Sequence, residues 1–323
     1  MPLEVSVGAK KGFDQNCMKI LNPIPIDFWQ EVAEACPWAT FFHTPAWATV
    51  YAQTFPQYAV ASRGFVMESG ARAVIPFLAE EKKKFLKRET KLKSIEPGVY
   101  GGIIADQELS LKEVDDIIRH ILEMKSTGGR IVGNPFKEFT LPSQFKKKEL
   151  FTQMVDLTPS FDMLWGRFNR GQKSNINQAQ RKNISIRLAH CEQDIETYFA
   201  IYLQTVKRWG KKTAAEYPLK LFINLYMQQD THIRFYLADK DGRTIAGIVV
   251  LAWGKHLIYW HGCSLDEALK DYPNNLLHYT VIKWGCENGY ACYDMGPSMD
   301  MEGVIRFKSS FGAEKVFFKS CRW

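Results

Sequence analysis

Apolar positions recur along this chain at two spacings, about 3.6 and 2 residues, and the switches between them mark out its elements. In HTPAWATVYAQTF, residues 43–55, Trp47, Val50, Tyr51 and Phe55 share one face, Pro45 suits a first helical turn and Thr44 suits the cap, which predicts a helix. The stretch FVMESGARAVIPFLAE places Glu68-Ser69-Gly70 between two β-prone runs and predicts a hairpin. Strands near 85–95 and 99–105 precede a helix over about 109–126, with Gly128-Gly129 as its stop and RIVG as the next strand.

Beyond residue 190 the same order returns. Helical spacing covers roughly 192–210 and 218–229, followed by the strand HIRFYLAD, a turn at Lys240-Asp241-Gly242, and the strands TIAGIVVLAW and HLIYWHGC. The helix NNLLHYTVIKWGCE, with Asn274 as its expected cap and Asn288-Gly289 as its stop, then leads into the strand ACYDM. Helices, a hairpin, another strand, a helix and a closing strand thus occur twice, which predicts two α/β domains of one plan.

Charge sharpens this outline at the connector. Phe161, Leu164, Trp165 and Phe168 recur at helical spacing, and between Met163 and Cys191 six Lys or Arg residues stand without a single Asp or Glu. Arg167, Arg170, Lys173, Arg181 and Lys182 then fall on one basic helix, expected to break near Gly171, where freed backbone amides can face an anion; a solvated helix face is the plainer alternative. A second basic block, EEKKKFLKRETKLK at 80–93, contains three glutamates and reads as a solvated hairpin or edge strand.

With 323 residues, 46% of them apolar, the chain is long enough for a large core and for two domains. Its formal charge of +7 favours phosphate-bearing partners such as nucleotides, RNA or anionic lipid headgroups. Seven cysteines without a CxxC pair suit reduced thiols in a cytoplasm. The first residues lack an apolar signal core, and the longest apolar run, IAGIVVLAW at 245–253, is about half of what a membrane-spanning helix needs, so a soluble or peripheral protein is expected.

The usual catalytic signatures are missing: no HExxH, Walker A loop, GxSxG elbow or GxGxxG after a strand occurs. His261-Gly262-Cys263 supplies at most two metal ligands inside a strand pattern, so no metal is expected. Asp294 ends the strand ACYDM just before Gly296-Pro297, at an edge where α/β sheets gather ligands, although turn formation explains it equally. Trp47 lies on the inner face of its helix, a place more often core than ligand contact, and Tyr100 lies in the glycine-rich text EPGVYGG, where backbone can approach a substrate. In GVIRFKSSFGAE, residues 303–314, Ile305, Lys308 and Phe311 fall on one face of a short helix over 304–311. A lysine so placed either snorkels to solvent or presents a fixed cation to a reacting group.

Three stretches together carry a resemblance: FTQMVDLTPSFDMLWGRFNRGQKSNINQAQRKNISIRLA, YPNNLLHYTVIKWGCENGYACYDMG and EGVIRFKSSFGAEKV. They resemble the FemAB-like family, peptidoglycan bridge-forming aminoacyltransferases of the GNAT-like acyltransferase superfamily. The likeness spans most of residues 40–318 and is clearest after 150. It implies an α/β (α+β) fold of two tandem GNAT-like domains, each a mixed, mostly antiparallel sheet flanked by helices. Residues 1–155 are then the first domain, completed by the C-terminal strand 314–323, and 156–313 the second, with the basic connector helix.

The activity the resemblance implies is transfer of an amino acid from aminoacyl-tRNA to an amine of a UDP-linked or lipid-linked cell-wall precursor, in the cytoplasm, with possible peripheral membrane contact. Neither metal, cofactor nor covalent enzyme intermediate is implied. Phe307-Lys308 matches the family's Phe-Lys pair at the transfer site, so the catalytic assignment falls on Lys308 and Phe307. Trp47, Tyr100, Arg167, Arg170, Lys173, Arg181 and Asp294 are the expected substrate-binding residues. Two other functions stay open: an N-acyltransferase using acyl-CoA or acyl carrier protein, and a non-enzymatic binder of RNA or anionic surfaces. Against the first, no Q/R-x-x-G-x-G/A pyrophosphate loop follows HLIYWHGC.

Overall fold

The computed structural model describes residues 18–84, 87–94, 100–210, 216–228, 231–298 and 301–323. The chain begins with β1 (Lys19–Leu21) and α1 (Ile26–Ala35), then passes through a 3₁₀ turn at Phe41–His43 into α2 (Pro45–Thr54). The expected cap is present: Thr44 Oγ1 accepts the Trp47 N–H at 3.3 Å. After β2 (Tyr58–Val60) come the hairpin of β3 (Arg63–Val66) and β4 (Arg72–Ile75) and the basic hairpin of β5 (Leu78–Lys84) and β6 (Lys87–Lys93). The short β7 (Ile104–Ala105), α3 (Leu111–Glu123), β8 (Gly129–Val132) and the long β9 (Lys146–Asp156) follow. The text EPGV before Tyr100 lies outside the described residues.

The rest of the chain runs α4 (Phe161–Arg167), α5 (Arg170–Arg181), β10 (Ser185–Leu188), α6 (Glu192–Trp209), α7 (Leu219–Tyr226), β11 (Ile233–Lys240), β12 (Arg243–Trp253) and β13 (His256–Ser264). It closes with α8 (Pro273–Glu287), β14 (Cys292–Asp294), α9 (Glu302–Ser309) and β15 (Glu314–Arg322).

Three local expectations need correction. The connector helix breaks at Phe168–Asn169, between α4 and α5, and Gly171 lies inside α5. Asn169 supplies the reason, since its Oδ1 accepts the Gln172 N–H at 2.7 Å and caps α5. α8 starts one residue before Asn274, at Pro273, with Tyr272 at the cap in a left-handed conformation (φ 60°). α3 stops at a Met124 cap, well before Gly128-Gly129. Those glycines instead admit the C-terminus: a Cβ on Gly129 would stand 2.1 Å from the Trp323 ring.

Two sheets form. Four strands run in the order β1-β3-β4-β7, and eleven run in the order β10-β11-β12-β13-β14-β9-β15-β8-β6-β5-β2. Their ladders are antiparallel except for two parallel pairs, β6–β8 and β13–β14. Helix α3 lies between the strands of the first pair and α8 between those of the second, and such a pair needs a crossover of this kind. β15 returns from the far end of the chain to lie between β9 and β8, pairing Val316 with Thr152 and Ser320 with Val132. The long sheet therefore runs without interruption through both halves of the chain.

The apolar run noted in the sequence is the interior of β12, buried at every position after Arg243. Strands covered on both faces read as continuous apolar text, and this accounts for its length. Among the described residues no helix is long and apolar enough to cross a membrane. The core also takes in His261, whose Nδ1 meets Tyr198 Oη at 2.5 Å, and Cys263.

Candidate active site

Lys308 lies in the last turn of α9 and is 3% exposed, which closes the snorkelling alternative. Its Nζ donates to Gly296 O at 2.6 Å and to Pro297 O at 3.1 Å. An ammonium has three protons, so one remains for a further acceptor. The helix is held in register by Gln153 of β9, whose Nε2 donates to Ile305 O at 3.1 Å and Ser309 Oγ at 2.9 Å. The same side chain accepts Ser298 Oγ–H at 3.1 Å, tying the 296–298 turn to the helix it faces. Burial disfavours the charged amine and pulls Lys308 down to about 8, while the Asp294 carboxylate opposes that shift.

Asp294 is fully buried at the end of β14. It accepts Tyr100 Oη–H at 2.6 Å, the Gly296 N–H at 2.8 Å, and a short hydrogen bond from Thr152 Oγ1. Burial lifts its pKa, and these three donors, with the Lys308 ammonium, work against the rise. Gly296 has φ 75°, a conformation that costs a side-chain-bearing residue, and a Cβ there would stand 3.3 Å from Tyr259 O. The turn that receives the lysine is thus bound to the carboxylate by its own amide. Tyr100, Asp294, Gly296 and Lys308 form one chain of contacts linking the two halves of the sequence.

Beside this chain a cavity of about 270 Å³ opens, lined among others by Tyr259, Ser264, Asn274, His278, Phe307 and Lys308. Its position follows from the sheet. Parallel strands β13 and β14 pair only over His256–Ile258 and Cys292–Asp294. β13 then continues to Ser264 while the other strand ends at the Gly296 turn, and strands that part at their carboxyl ends leave room for a ligand. Phe307 and Lys308, adjacent in sequence, both reach the cavity wall.

His278 was not among the residues singled out from the sequence. It lies on the buried side of α8 with Leu277, Val281 and Ile282, and its Nδ1 meets Tyr293 Oη at 2.8 Å. A histidine on the apolar stripe of a helix was the available signal, but only the fold brings α8 and α9 to one cavity. Burial, then the nearby Lys308 ammonium, pushes its pKa down to about 3, so the ring is neutral at physiological pH.

The remaining expected residues lie elsewhere. Trp47 is fully buried among Phe41, Phe42, Tyr51 and Trp260, and its Nε1 has no hydrogen-bond partner among the described residues. Arg167, Arg170 and Arg181 are exposed. Lys173 donates to Gly166 O at 3.0 Å and stands 5.8 Å over the Trp165 ring, while Lys182 pairs with Asp271 at 2.7 Å. The connector still touches the site through its uncharged residues: the Asn169 N–H donates to Ser310 O at 3.0 Å, and Gln172 Oε1 accepts from Ser310 Oγ and Asn275 Nδ2, both at 2.9 Å. Arg167 and Arg170 accordingly flank the end of α9.

One group among the described residues has metal-ligand spacing, His190, Cys191 and Asp194. Its carboxylate is taken by the Arg187 guanidinium at 2.8 Å, which supplies the positive charge an ion would bring. A second cavity, about 130 Å³, lies between Ile103, Ile118, Asn134, Phe139 and Phe318, away from Lys308.

Residues 170–309 match the family model described as an acetyltransferase (GNAT) domain. No curated protein matches the chain in sequence. Among solved structures, FemX is 14% identical with a TM-score of 0.69, over 93% of this chain and 96% of that one. The C-terminal domain (DUF2156) of an Agrobacterium fabrum protein designated a lysylphosphatidylglycerol synthetase is 12% identical, with a TM-score of 0.59 over 92% of this chain and 91% of that one. A tandem GNAT protein from the clavulanic acid biosynthesis pathway is 10% identical, with a TM-score of 0.50 over 95% and 98%. The second half of the chain thus carries a match to an acetyltransferase (GNAT) domain, and over nearly its whole length the chain shares the fold of FemX and of the tandem GNAT protein.

Proposed function

We propose that this protein moves an aminoacyl group from aminoacyl-tRNA to the amine of an acceptor such as the stem peptide of a cell-wall precursor. The observation that carries the proposal is Lys308, a buried amine on the wall of a cavity, with two protons held by backbone carbonyls and the third left over. In aminoacyl transfer the neutral acceptor amine attacks the ester carbonyl and a C–N bond forms. The C–O bond to the ribose then breaks, and a proton leaves the new ammonium for the departing ribose oxygen. Negative charge gathers on the former carbonyl oxygen in between. An ammonium fixed in a dry site stabilises that oxygen without reorganisation, which is the work required here.

The likeness to FemX and to the lysylphosphatidylglycerol synthetase domain supports this donor class. So does the resemblance of Phe307-Lys308 to the family's transfer motif. Arg167 and Arg170, exposed beside the end of α9, suit the phosphates of a tRNA 3′ end. In this reading residues 156–313 carry out transfer, and residues 1–155 with β15 receive the acceptor. The match of residues 170–309 to an acetyltransferase domain favours one other donor, acyl-CoA.

A single assay separates the two. The protein is incubated with charged tRNA or with acetyl-CoA, each with UDP-linked and lipid-linked muropeptides, and products are identified by mass spectrometry. Muropeptides extended by an amino acid from the tRNA arm are expected. Acyl products from the CoA arm alone would replace the proposal, and no product in either arm would remove it.

Lys308 also sets a pH dependence. Its working form is the ammonium, and burial holds its pKa at about 8, so transfer falls as pH rises through that value. A descending limb centred near pH 8 is expected in kcat with saturating acceptor. A limb displaced to 10 or above would mean that the amine is not held as the structure shows.

A further inference from the structure

The cavity that Lys308 lines also presents His278, and the hydrogen bonding around this ring determines which nitrogen carries its proton. Nδ1 faces Tyr293 Oη at 2.8 Å. Tyr293 is fully buried, and among the described residues this is the one hydrogen bond its hydroxyl makes. Were Nδ1 protonated, it would donate to the hydroxyl oxygen, and the phenolic proton would be left buried and unpaired. With the hydroxyl as donor and Nδ1 as acceptor, every proton of the pair is used, and this arrangement is favoured. The ring proton then sits on Nε2. That nitrogen makes no hydrogen bond among the described residues, and the residue that carries it lines the cavity.

The ring cannot easily turn away. Its centroid lies 4.8 Å from that of Tyr259, 5.5 Å from that of Phe307 and 5.6 Å from that of Phe311. The titratable and charged groups around it are Tyr293 from β14, Tyr259 and Cys263 from β13, Lys308 from α9, and Arg208 of α6 across the cavity. None is a carboxylate that would draw a second proton onto the imidazole.

We infer that His278 Nε2–H is the second donor of a two-point oxyanion site, meeting the same carbonyl oxygen as the Lys308 ammonium, with Tyr293 as the positioning residue that fixes its tautomer. The inference rests on the acyl-transfer reading of this cavity and adds to it a neutral donor. A charged and a neutral donor on one oxygen define its position as well as its charge. Neither gives up its proton, so the bookkeeping of the step is unchanged: the proton still passes from the attacking amine to the departing oxygen. A general base would instead need a free electron pair on Nε2, which the Tyr293 hydrogen bond denies it.

Two measurements test this. The first needs no substrate: ¹⁵N-labelled histidine in the intact protein is observed by NMR from pH 5 to 8. A neutral His278 with Nε2 protonated and Nδ1 bare is expected throughout, and an Nδ1–H tautomer or a ring that charges in this range overturns the inference. The second is kinetic, in whichever transfer assay the wild-type protein supports and Lys308→Ala abolishes. His278→Phe is expected to lower kcat by about a hundredfold with KM nearly unchanged, as for a lost oxyanion donor. His278→Gln, whose amide can present an N–H near the position of Nε2, should stay within about tenfold of wild type. Tyr293→Phe, which frees the tautomer, should fall between the two.

Wild-type kcat in His278→Phe would overturn the inference, and so would His278→Gln as inactive as the phenylalanine variant, the result a general base would give. Unfolding temperatures of all three variants are compared with wild type; if His278→Phe is unfolded, the decision passes to His278→Gln and the NMR tautomer. If the wild-type protein transfers nothing, the acyl-transfer reading itself fails, and the NMR result still reports the state of the ring.

Discussion

Replacing Lys308 by methionine is expected to reduce transfer by a hundredfold or more while leaving the fold intact. Removal of one oxyanion donor costs about 3 kcal/mol of transition-state stabilisation, and a charged donor in a dry site stands at the upper end of that range. The native structure does not depend on this charge. Because burial lowers the lysine pKa to about 8 from its ordinary value, the folded protein binds the proton less tightly than the unfolded chain does. The penalty for holding the charged amine is therefore fully present below pH 8 and fades as pH rises from there toward the unfolded value. At pH 7 the methionine variant escapes it, and its unfolding temperature should be no lower than that of the wild type. Kinetics and thermal denaturation of the same preparation check both halves. Transfer at the wild-type rate removes Lys308 from the site, and collapse of the fold makes its role structural.

The second large effect is expected at Asp294. Alanine there leaves the Tyr100 hydroxyl, the Thr152 hydroxyl and the Gly296 amide buried without their acceptor, and it strips the lysine of its nearby counter-charge. Loss of one member of such a buried set costs about 3–5 kcal/mol, enough to lower the unfolding temperature by several degrees or more in a chain of this size. Asparagine separates charge from geometry. Its Oδ1 can keep the bonds from Thr152 and Gly296, and its amide can donate to Tyr100 Oη once that hydroxyl rotates. Asp294→Asn should therefore fold almost normally but lose the anion that raises the Lys308 pKa, so the descending limb of the pH profile moves below 8. Denaturation curves for the alanine variant and a pH–rate profile for the asparagine variant test the pair. An unmoved limb in the latter would show that carboxylate and amine are not coupled.

Much of this architecture was readable without coordinates because it is locally determined. The Thr44–Pro45 start of α2, the turn between β3 and β4, the spans of α6 and β11 to β13, and the burial of His261 and Cys263 follow from caps, glycines and periodicity within about a dozen residues. The structure departs from these local signals where a second cap or a distant contact takes over. Gly171 is the natural break in the basic connector by residue type, but the Asn169 side chain satisfies the amide of Gln172, and the helix restarts ahead of the glycine. Gly128-Gly129 resembled a helix stop, yet the two residues make room for Trp323, almost two hundred positions away.

The site divides along the same line. From the sequence alone came the text Phe307-Lys308, the strand end at Asp294, and a charge balance that leaves residues 163–191 without a carboxylate, each a property of one short stretch. Tertiary structure decided that Tyr100 donates to Asp294 across 194 positions, that the Gly296 turn hands two carbonyls to the lysine, and that His278 shares its cavity. It also decided that Trp47 is enclosed by Phe41, Phe42, Tyr51 and Trp260. The physical reason is that patterning states whether a residue prefers to be buried, whereas the chemistry of a buried group depends on which partners meet it. Those partners are brought together by the pairing of distant strands, above all the parting of β13 from β14 and the return of β15 onto β9.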